Sequence, residues 1–221
     1  MKHVFIFGAN ALSELVYYYL INSNKVVDGF VLNAQYINND IENKLPTKIF
    51  SIEKVLTDFG PNNVSVYVAI AYAKMNSVRQ SVCAWLCDQG VEILTYIHPS
   101  SIIAANVAFG IGNIILEKVI IQPYVNLGDG NIIWNGANIS HHSVIGNFNY
   151  IAPSVTISGR NIIHNRCFFG SGCTTNNDIE IHDEVLVGAG AYVYKTLHQN
   201  TVFVPQRGIE LNKKSNQVKL R

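Results

Sequence analysis

From residue 103 onward, apolar residues recur at every sixth position almost to the end of the chain. Of the sixteen positions in this series, only Thr175 is polar. A period of six fits neither an α-helix nor a simple alternating strand. It is typical of a β-solenoid, in which short parallel strands form flat faces and these side chains point inward at the corners. The series comprises Ile103, Phe109, Ile115, Ile121, Leu127, Ile133, Ile139, Ile145, Ile151, Ile157, Ile163, Phe169, Thr175, Ile181, Val187 and Val193.

A second series of uncharged, mostly small residues lies four positions after each corner. This composition predicts a second inward-facing position, where neighbouring coils leave little room. With three hexads per coil, about 18 residues make one turn of a left-handed, triangular β-helix, and the hexads make about five coils. The second series comprises Val107, Asn113, Val119, Val125, Asn131, Ala137, Ser143, Asn149, Val155, Asn161, Cys167, Cys173, Ile179, Val185, Ala191 and Leu197.

The first hundred residues instead alternate strand and helix patterns, which predicts a parallel, Rossmann-like sheet. Ligands of such sheets bind at the carboxyl ends of the strands, often over the first strand–helix turn. Here that turn contains Gly8 but only one of the three glycines of a dinucleotide fingerprint, which argues against a nicotinamide site. The predicted strands are 3–7, 26–32, 64–71 and 91–97, and the predicted helices are 11–22, 52–56 and 74–89.

Composition excludes several classes of function. The 16 basic and 15 acidic residues give a net charge of +1, so there is no electrostatic case for nucleic-acid binding. No apolar run is long enough to span a membrane, and residues 1–21 lack the cleavage site of a signal peptide. The four cysteines do not indicate a disulfide framework, and we expect all four to be reduced core residues of a cytoplasmic protein: Cys83, Cys87, Cys167 and Cys173.

Two motifs carry a resemblance to a known family. Ile97-His98-Pro99-Ser100 joins the two parts of the chain, and His141-His142-Ser143-Val144-Ile145-Gly146 lies within the hexads. Together with the α/β start, they resemble the bacterial sugar O-/N-acyltransferases of the sialic-acid O-acetyltransferase and bacillosamine-pathway N-acetyltransferase type. The resemblance covers nearly the whole chain.

This resemblance implies an architecture and a reaction. It implies a Rossmann-like acceptor-binding domain at 1–98, a left-handed β-helix acyltransferase domain at 99–200 and a C-terminal tail at 201–221. Acetyl-CoA would donate an acetyl group to an amino or hydroxyl group of a sugar, often nucleotide-linked, in bacterial surface-glycan biosynthesis. Enzymes of this type are usually homotrimers with active sites between neighbouring solenoids. No metal is expected.

The resemblance also implies the catalytic residues. His141 matches the histidine that the family uses as general base, and a neutral imidazole can accept the proton that an attacking amine or hydroxyl loses. His142 stands where the family commonly has a carboxylate that orients this histidine. An imidazole is not a strong anionic partner, so either a carboxylate comes from elsewhere or the base is weaker.

Further positions match the family's acetyl-CoA contacts. Tyr150 falls on a second family histidine that contacts acetyl-CoA, and tyrosine retains the capacity to hydrogen-bond. Backbone N–H groups of Gly159, Ser171 and Ala189 are expected to contact acetyl-CoA. Residues 202–205 resemble the segment that closes these solenoids beside the CoA.

The acceptor positions depart most from the family pattern. The matching substrate-binding positions are Asn10, Ala11 and Leu12 after the first strand, Leu32 and Asn33 after the second, and Ala71 after the third. The family's glycine–histidine turn and paired aspartates are missing there. The acceptor is therefore expected to be a different nucleotide sugar, or a sugar without a nucleotide.

Two alternatives remain open. One is a non-catalytic scaffold or sugar-binding module that has kept the fold. The other is a zinc lyase of the γ-type carbonic anhydrase class, because His164 and His182 are 18 residues apart and would stack on successive coils. The sequence shows no convincing third metal ligand.

Overall fold

The N-terminal region, residues 2–95, is a parallel sheet that alternates with helices. A computed structural model describes residues 2–210 and 212 of the chain. In this region the strands are β1 (His3–Phe7), β2 (Gly29–Leu32), β3 (Ile49–Ser51), β4 (Val64–Val68) and β5 (Glu92–Ile93). The helices are α1 (Ala11–Asn22), α2 (Asn39–Glu42), α3 (Ile52–Phe59) and α4 (Ser77–Asp88). The strands pair in parallel in the order β3-β2-β1-β4-β5.

The turn from β1 to α1 is held by local hydrogen bonds. The Asn10 side chain accepts hydrogen bonds from the backbone N–H groups of Leu12 and Ser13, which caps the helix. Gly8 has φ +142°, and a Cβ there would lie 2.6 Å from the Ala69 carbonyl oxygen. The turn therefore requires glycine where it passes the end of β4.

The observed elements differ from the predicted ones at several points. The predicted strand 91–97 is two strands, β5 and β6 (Tyr96–Ile97), because the Tyr96 backbone N–H bonds to Asn113 in the solenoid instead of continuing the first sheet. Strand β3 lies in a segment for which no element was predicted, because three residues are too few to show a period. Strands β2 and β4 are shorter than predicted.

Short two-residue strands form the solenoid. After β6 they are β7 (Ile102–Ile103), β8 (Ala108–Phe109), β9 (Ile114–Ile115), β10 (Ile120–Ile121), β11 (Asn126–Leu127), β12 (Ile132–Ile133), β13 (Asn138–Ile139), β14 (Val144–Ile145), β15 (Tyr150–Ile151), β16 (Thr156–Ile157), β17 (Ile162–Ile163), β18 (Phe168–Phe169), β19 (Thr174–Thr175), β20 (Glu180–Ile181), β21 (Leu186–Val187), β22 (Tyr192–Val193) and β23 (Val202–Phe203).

These strands stack into three parallel sheets. The first face contains β6, β9, β12, β15, β18, β21 and β23; the second contains β7, β10, β13, β16, β19 and β22; and the third contains β8, β11, β14, β17 and β20. Paired residues are 18 apart, as Ile120 and Asn138 are. The stacked parallel strands fit the left-handed β-helix that the repeat predicts. We call the turns from the first to the second face the first edge, those from the second to the third face the second edge, and those from the third back to the first face the third edge.

The last coil is shorter than the others. Leu186 pairs with Val202, and Ile181 forms a bridge to Leu197, so both spans are 16 residues. Leu197 therefore lies opposite the corner residue Ile181, and its assignment to the second inward series was wrong. Two residues are missing from this coil, which shifts the phase of the repeat.

The corner residues are buried inside the solenoid, as predicted, except at its beginning. All are buried apart from Ile103 and Phe109, and the latter is 38% exposed. Phe109 lies on β8, the end strand of the third face, so no earlier coil covers it. The polar corner Thr175 is buried, and its hydroxyl accepts hydrogen bonds from Ser158 N–H and the Asn161 side chain.

A column of buried asparagines links successive coils from inside. Asn113, Asn131 and Asn149 are fully buried. Oδ1 of Asn113 accepts a hydrogen bond from the backbone N–H of Asn131 at 2.8 Å, and Oδ1 of Asn131 accepts one from Asn149 at 2.9 Å. Nδ2 of Asn131 donates to the carbonyl of Gly146. Each buried amide is thus satisfied by the backbone of a neighbouring coil.

The N-terminal region packs on the first face of the solenoid. The outward side chains of Ile114 and Ile132 on that face are fully buried, in one core cluster with Leu12 and Val16 of α1. The fully buried Arg79 of α4 also crosses this boundary, donating five hydrogen bonds to backbone carbonyls on both sides. Apolar packing and these hydrogen bonds fix the N-terminal region against the solenoid.

The cysteines are free, and three of the four are buried as expected. Cys87 is exposed, so its assignment to the core was wrong. The buried stripe of α4 runs through Arg79, Cys83 and Leu86, and Cys87 lies beside that stripe. No helix in the described part of the chain has the length and apolar character needed to cross a membrane.

Replacing Asn131 with alanine is expected to destabilise the solenoid by about 2–6 kcal/mol. The change leaves the buried Asn149 N–H and the part-buried Gly146 carbonyl without their partner, at about 1–3 kcal/mol each. Urea unfolding of the two proteins measures the difference. Asn135→Ala, an exposed asparagine of the same coil, should change stability by less than about 0.5 kcal/mol. Equal effects of the two substitutions would contradict the role of the column.

Candidate active site

His141 lies on the second edge of the solenoid, in the turn between β13 and β14. Its side chain is half-buried, and its backbone N–H donates to Oε1 of Gln122 on the preceding coil at 3.0 Å. Its Nδ1 lies 3.1 Å from Nδ1 of His142. The predicted general base and the residue after it therefore contact each other directly.

The contact between the two imidazoles can fix the tautomer of His141. When Nδ1 of His141 carries the proton, it donates to Nδ1 of His142, and Nε2 of His141 keeps its lone pair. His142 then orients the His141 ring, as a carboxylate partner would, but it supplies no negative charge. Nε2 is the atom left to accept a proton from a substrate.

Gly159, on the next coil, makes room for the His141 ring. A Cβ at Gly159 would lie 2.8 Å from Cε1 and 3.0 Å from Nε2 of His141. The backbone N–H of Gly159 already donates to Oδ1 of Asn177 at 2.9 Å. Within this chain Gly159 thus positions the histidine, and its predicted amide contact with acetyl-CoA would require Asn177 to move.

Residues spaced by 18 form a column beside His141. His142 has φ +59°, and its ring stacks on Tyr124 with centroids 4.6 Å apart. Further along, Arg160 makes a two-point ion pair with Asp178, at 2.5 and 2.6 Å. Hydrogen bonding from Arg160 lowers the pKa of Asp178, so this carboxyl stays ionised near His141. Sequence reasoning missed Gln122, Tyr124, Arg160 and Asp178, although the 18-residue spacing points to the last three.

Ser171 and Ala189 lie on the first edge, one coil apart. Their side chains are exposed, and neither backbone N–H donates to another described residue. A Cβ at Gly170 would lie 2.4 Å from the Ala189 nitrogen, so glycine keeps that amide uncovered. Both amides are free to donate to a ligand.

The chain after β23 closes over the same edge. A Cβ added at Gly188 would lie 2.9 Å from a Val204 methyl group and 3.3 Å from Cδ of Pro205. The segment predicted to close the solenoid beside the CoA therefore contacts the residue immediately before Ala189.

Tyr150 lies on the first face, where the N-terminal region covers it. Its ring stacks on Phe168, with centroids 5.3 Å apart, and contacts Tyr72 edge-on at 5.0 Å. Burial raises the pKa of Tyr150 to about 12, so its hydroxyl is neutral at physiological pH. It can donate a hydrogen bond but cannot act as a base.

The predicted acceptor positions come together at the carboxyl ends of β1, β2 and β4. Several of their polar groups are already used: Asn10 Nδ2 donates to the Ala69 carbonyl at 3.0 Å, and Asn33 Nδ2 donates to Glu53 at 3.1 Å. The Ala71 carbonyl accepts from Arg79. Leu12 is buried, Ala11 is exposed and Leu32 is partly buried. This part of the predicted site offers a ligand few free side-chain groups.

Within one chain the predicted site is divided between edges. His141, His142 and Gly159 lie on the second edge, whereas Ser171 and Ala189 lie on the first. The strands of the second face separate these two groups.

Comparison with known proteins identifies the fold. No model of a known protein family matches the chain, and no curated protein sequence matches it significantly. The acetyltransferase domain of PglB from Neisseria gonorrhoeae FA1090 matches 93% of this chain and 97% of its own, with a TM-score of 0.80 and 19% identity. This chain shares the fold of that acetyltransferase.

Two ligand-bound structures also match. The same PglB domain in complex with acetyl coenzyme A aligns over 87% of this chain and 92% of its own, with a TM-score of 0.73 and 19% identity. A mutant of GDP-perosamine N-acetyltransferase from Caulobacter crescentus, in complex with CoA and GDP-perosamine, aligns over 93% and 94%, with a TM-score of 0.69 and 20% identity. The fold that the sequence resemblance implied is thereby confirmed for the β-helix.

In the protein with His141 intact, Gly159→Ala is expected to lower the free energy of unfolding by about 1 kcal/mol, because the new methyl group displaces the imidazole. In a His141→Ala background the same change should be neutral or slightly stabilising, since alanine restricts the unfolded chain. Unfolding free energies of the four proteins in this double-mutant cycle measure the coupling. The same cost in both backgrounds would show that Gly159 does not position His141.

Proposed function

We propose that this protein is an acetyl-CoA-dependent acetyltransferase that modifies an amino or hydroxyl group of a sugar, with His141 as general base. The observation that carries the proposal is the histidine pair over Gly159 on the second edge of an acetyltransferase-type β-helix. The neighbours bound to acetyl coenzyme A or to CoA and GDP-perosamine support the substrate classes.

The chemistry follows from the orientation of His141. The acceptor nitrogen or oxygen attacks the thioester carbon of acetyl-CoA, and Nε2 of His141 takes the proton that the acceptor loses. The carbon–sulfur bond then breaks, and the departing CoA sulfur receives a proton. Free backbone amides such as those of Ser171 and Ala189 can bind CoA or stabilise the oxyanion that forms on the thioester oxygen. No covalent bond to the enzyme is needed.

A homotrimer would unite the divided site. With cyclic symmetry, the second edge of one solenoid can face the first edge of its neighbour, so His141 of one copy would meet the Ser171 and Ala189 amides of the next. The separation of these groups within one chain supports this arrangement, because His141 lies on one edge and the free Ser171 and Ala189 amides lie on another.

The proposed domain roles follow the sheet topology. The strand order β3-β2-β1-β4-β5 supports a Rossmann-like domain at 1–98 that binds the acceptor at the carboxyl ends of its strands. The β-helix at 99–200 would carry the chemistry, although β6 and β23 extend its first face beyond both bounds. Much of the tail at 201–221 lies outside the described residues. A cytoplasmic location and a role in surface-glycan synthesis remain predictions.

His141→Ala should lower kcat for acetyl transfer by about 10²–10⁴-fold, the usual contribution of a general base. Release of CoA thiol with a panel of amino sugars, free and nucleotide-linked, measures turnover, and calorimetry measures acetyl-CoA affinity. The affinity should stay within about twofold because the proposed amide donors lie on the other edge.

His198→Ala provides the control, because this exposed histidine of the last coil lies away from the second edge and should leave kcat unchanged. Near-normal turnover of His141→Ala would exclude this residue as the base. If the unaltered protein binds sugars but transfers no acetyl group to any of them, the scaffold alternative gains support.

A further inference from the structure

Three histidines are stacked on the third edge, away from His141. The rings of His164 and His182 lie 5.1 Å apart at an angle of 8°. His198 continues the stack, with its ring 5.7 Å from that of His182. The rings lie on successive coils because the 18-residue repeat, and the shortened last coil, bring these positions into line.

Glu180 lies beside the first two of these rings. Its Oε1 is 2.6 Å from Nε2 of His164, and its Oε2 is 4.0 Å from Nε2 of His182. Glu180 is the outward residue of β20, two positions before His182, and its side chain reaches back across to the preceding coil. It is the third partner that was not recognised from the sequence.

The ligand atoms of His164, Glu180 and His182 all lie within 4.8 Å of one another. Tetrahedral Zn²⁺ with bonds of about 2.1 Å needs ligand atoms about 3.4 Å apart. Each side chain is between 36 and 40% exposed, so small rotations can close that difference. Among the described residues this is the one group of three or more such ligands.

We propose that His164, Glu180 and His182 bind a divalent transition metal, with Zn²⁺ as the preferred ion. Two imidazoles and one carboxylate are ligands that suit Zn²⁺ and exclude the hard cations Mg²⁺ and Ca²⁺, which prefer oxygen alone. Water completes the coordination, since the group faces solvent.

The metal would join two coils. His164 follows β17 and the other two ligands belong to the next coil, so one ion ties neighbouring coils near the C-terminal end of the solenoid. Because the folded chain alone brings the ligands together, metal binding stabilises the folded state by mass action. This site lies on a different edge from His141, so it is independent of the proposed acetyl transfer.

Zinc binding to tag-free, full-length protein tests the site. After removal of metals with EDTA, the protein is dialysed against Zn²⁺, and bound metal is counted by mass spectrometry. We expect one Zn²⁺ per chain and a rise in Tm of about 5 °C at saturating metal. His182→Ala and Glu180→Gln should each weaken Zn²⁺ binding by about tenfold or more and remove the Tm rise.

Two control variants separate this site from other histidines. His3 also lies near a carboxylate, with Nδ1 3.4 Å from Asp28, but has no second histidine beside it in the described part of the chain, and His142 belongs to the other histidine pair. His3→Ala and His142→Ala should therefore bind Zn²⁺ like the unaltered protein. Loss of zinc in His142→Ala instead of His182→Ala would overturn the proposal. So would unchanged zinc binding in both His182→Ala and Glu180→Gln, which would leave His164 and Glu180 as a simple ion pair.

Discussion

The position of the end of β4 against the solenoid depends on one buried cation. The guanidinium of Arg79 donates to the Ile70 and Ala71 carbonyls at the end of β4 and to the Gly130, Phe148 and Asn149 carbonyls of the solenoid's third edge. Burial lowers its pKa to about 10, so it keeps its charge at neutral pH although none of its five partners is a carboxylate. Lysine could not replace the planar fork that reaches all five carbonyls. The strand end carrying Ala71, a predicted acceptor position, is thereby held in a set place beside the solenoid.

Much of the fold was predictable because the sequence of the solenoid repeats every six residues. A repeat of six residues predicts strand, turn and inward positions together, and fourteen of the sixteen corner side chains are buried as that repeat requires. The two exceptions, Ile103 and Phe109, lie on β7 and β8, the end strands of their faces, which no earlier coil covers. The phase of the repeat also shifts before Leu197, because the last coil is shortened to 16 residues. The hydrogen bonds of Asn113, Asn131 and Asn149 could not be foreseen from polarity alone, since their partners lie on other coils. Short elements such as β3 have no period to detect.

The residues of the candidate site that belong to a sequence motif could be predicted. The contacts that depend on the folded chain could not. His141 and His142 were identified from their sequence context, but their Nδ1–Nδ1 contact and the space left by Gly159 depend on a turn and on the next coil. Glu180 was missed because the repeat predicts only that it faces outward, whereas its reach to His164 depends on side-chain length. The acceptor positions were chosen by resemblance, and in this chain their side chains mostly serve the N-terminal region itself, as Asn10 does in capping α1.

We propose that each active site is built from two copies of the chain, and subunit complementation tests this proposal most directly. His141→Ala removes the base, and Ala189→Trp blocks the free amides of the first edge, so each variant alone should be inactive. When the two are co-expressed with different tags and the mixed trimers are isolated, some sites pair an intact second edge with an intact first edge. Each mixed cyclic trimer contains one such site out of three, so the isolated mixed trimers should have about a third of the unaltered activity. Mixed trimers with no more activity than either variant alone would contradict the account.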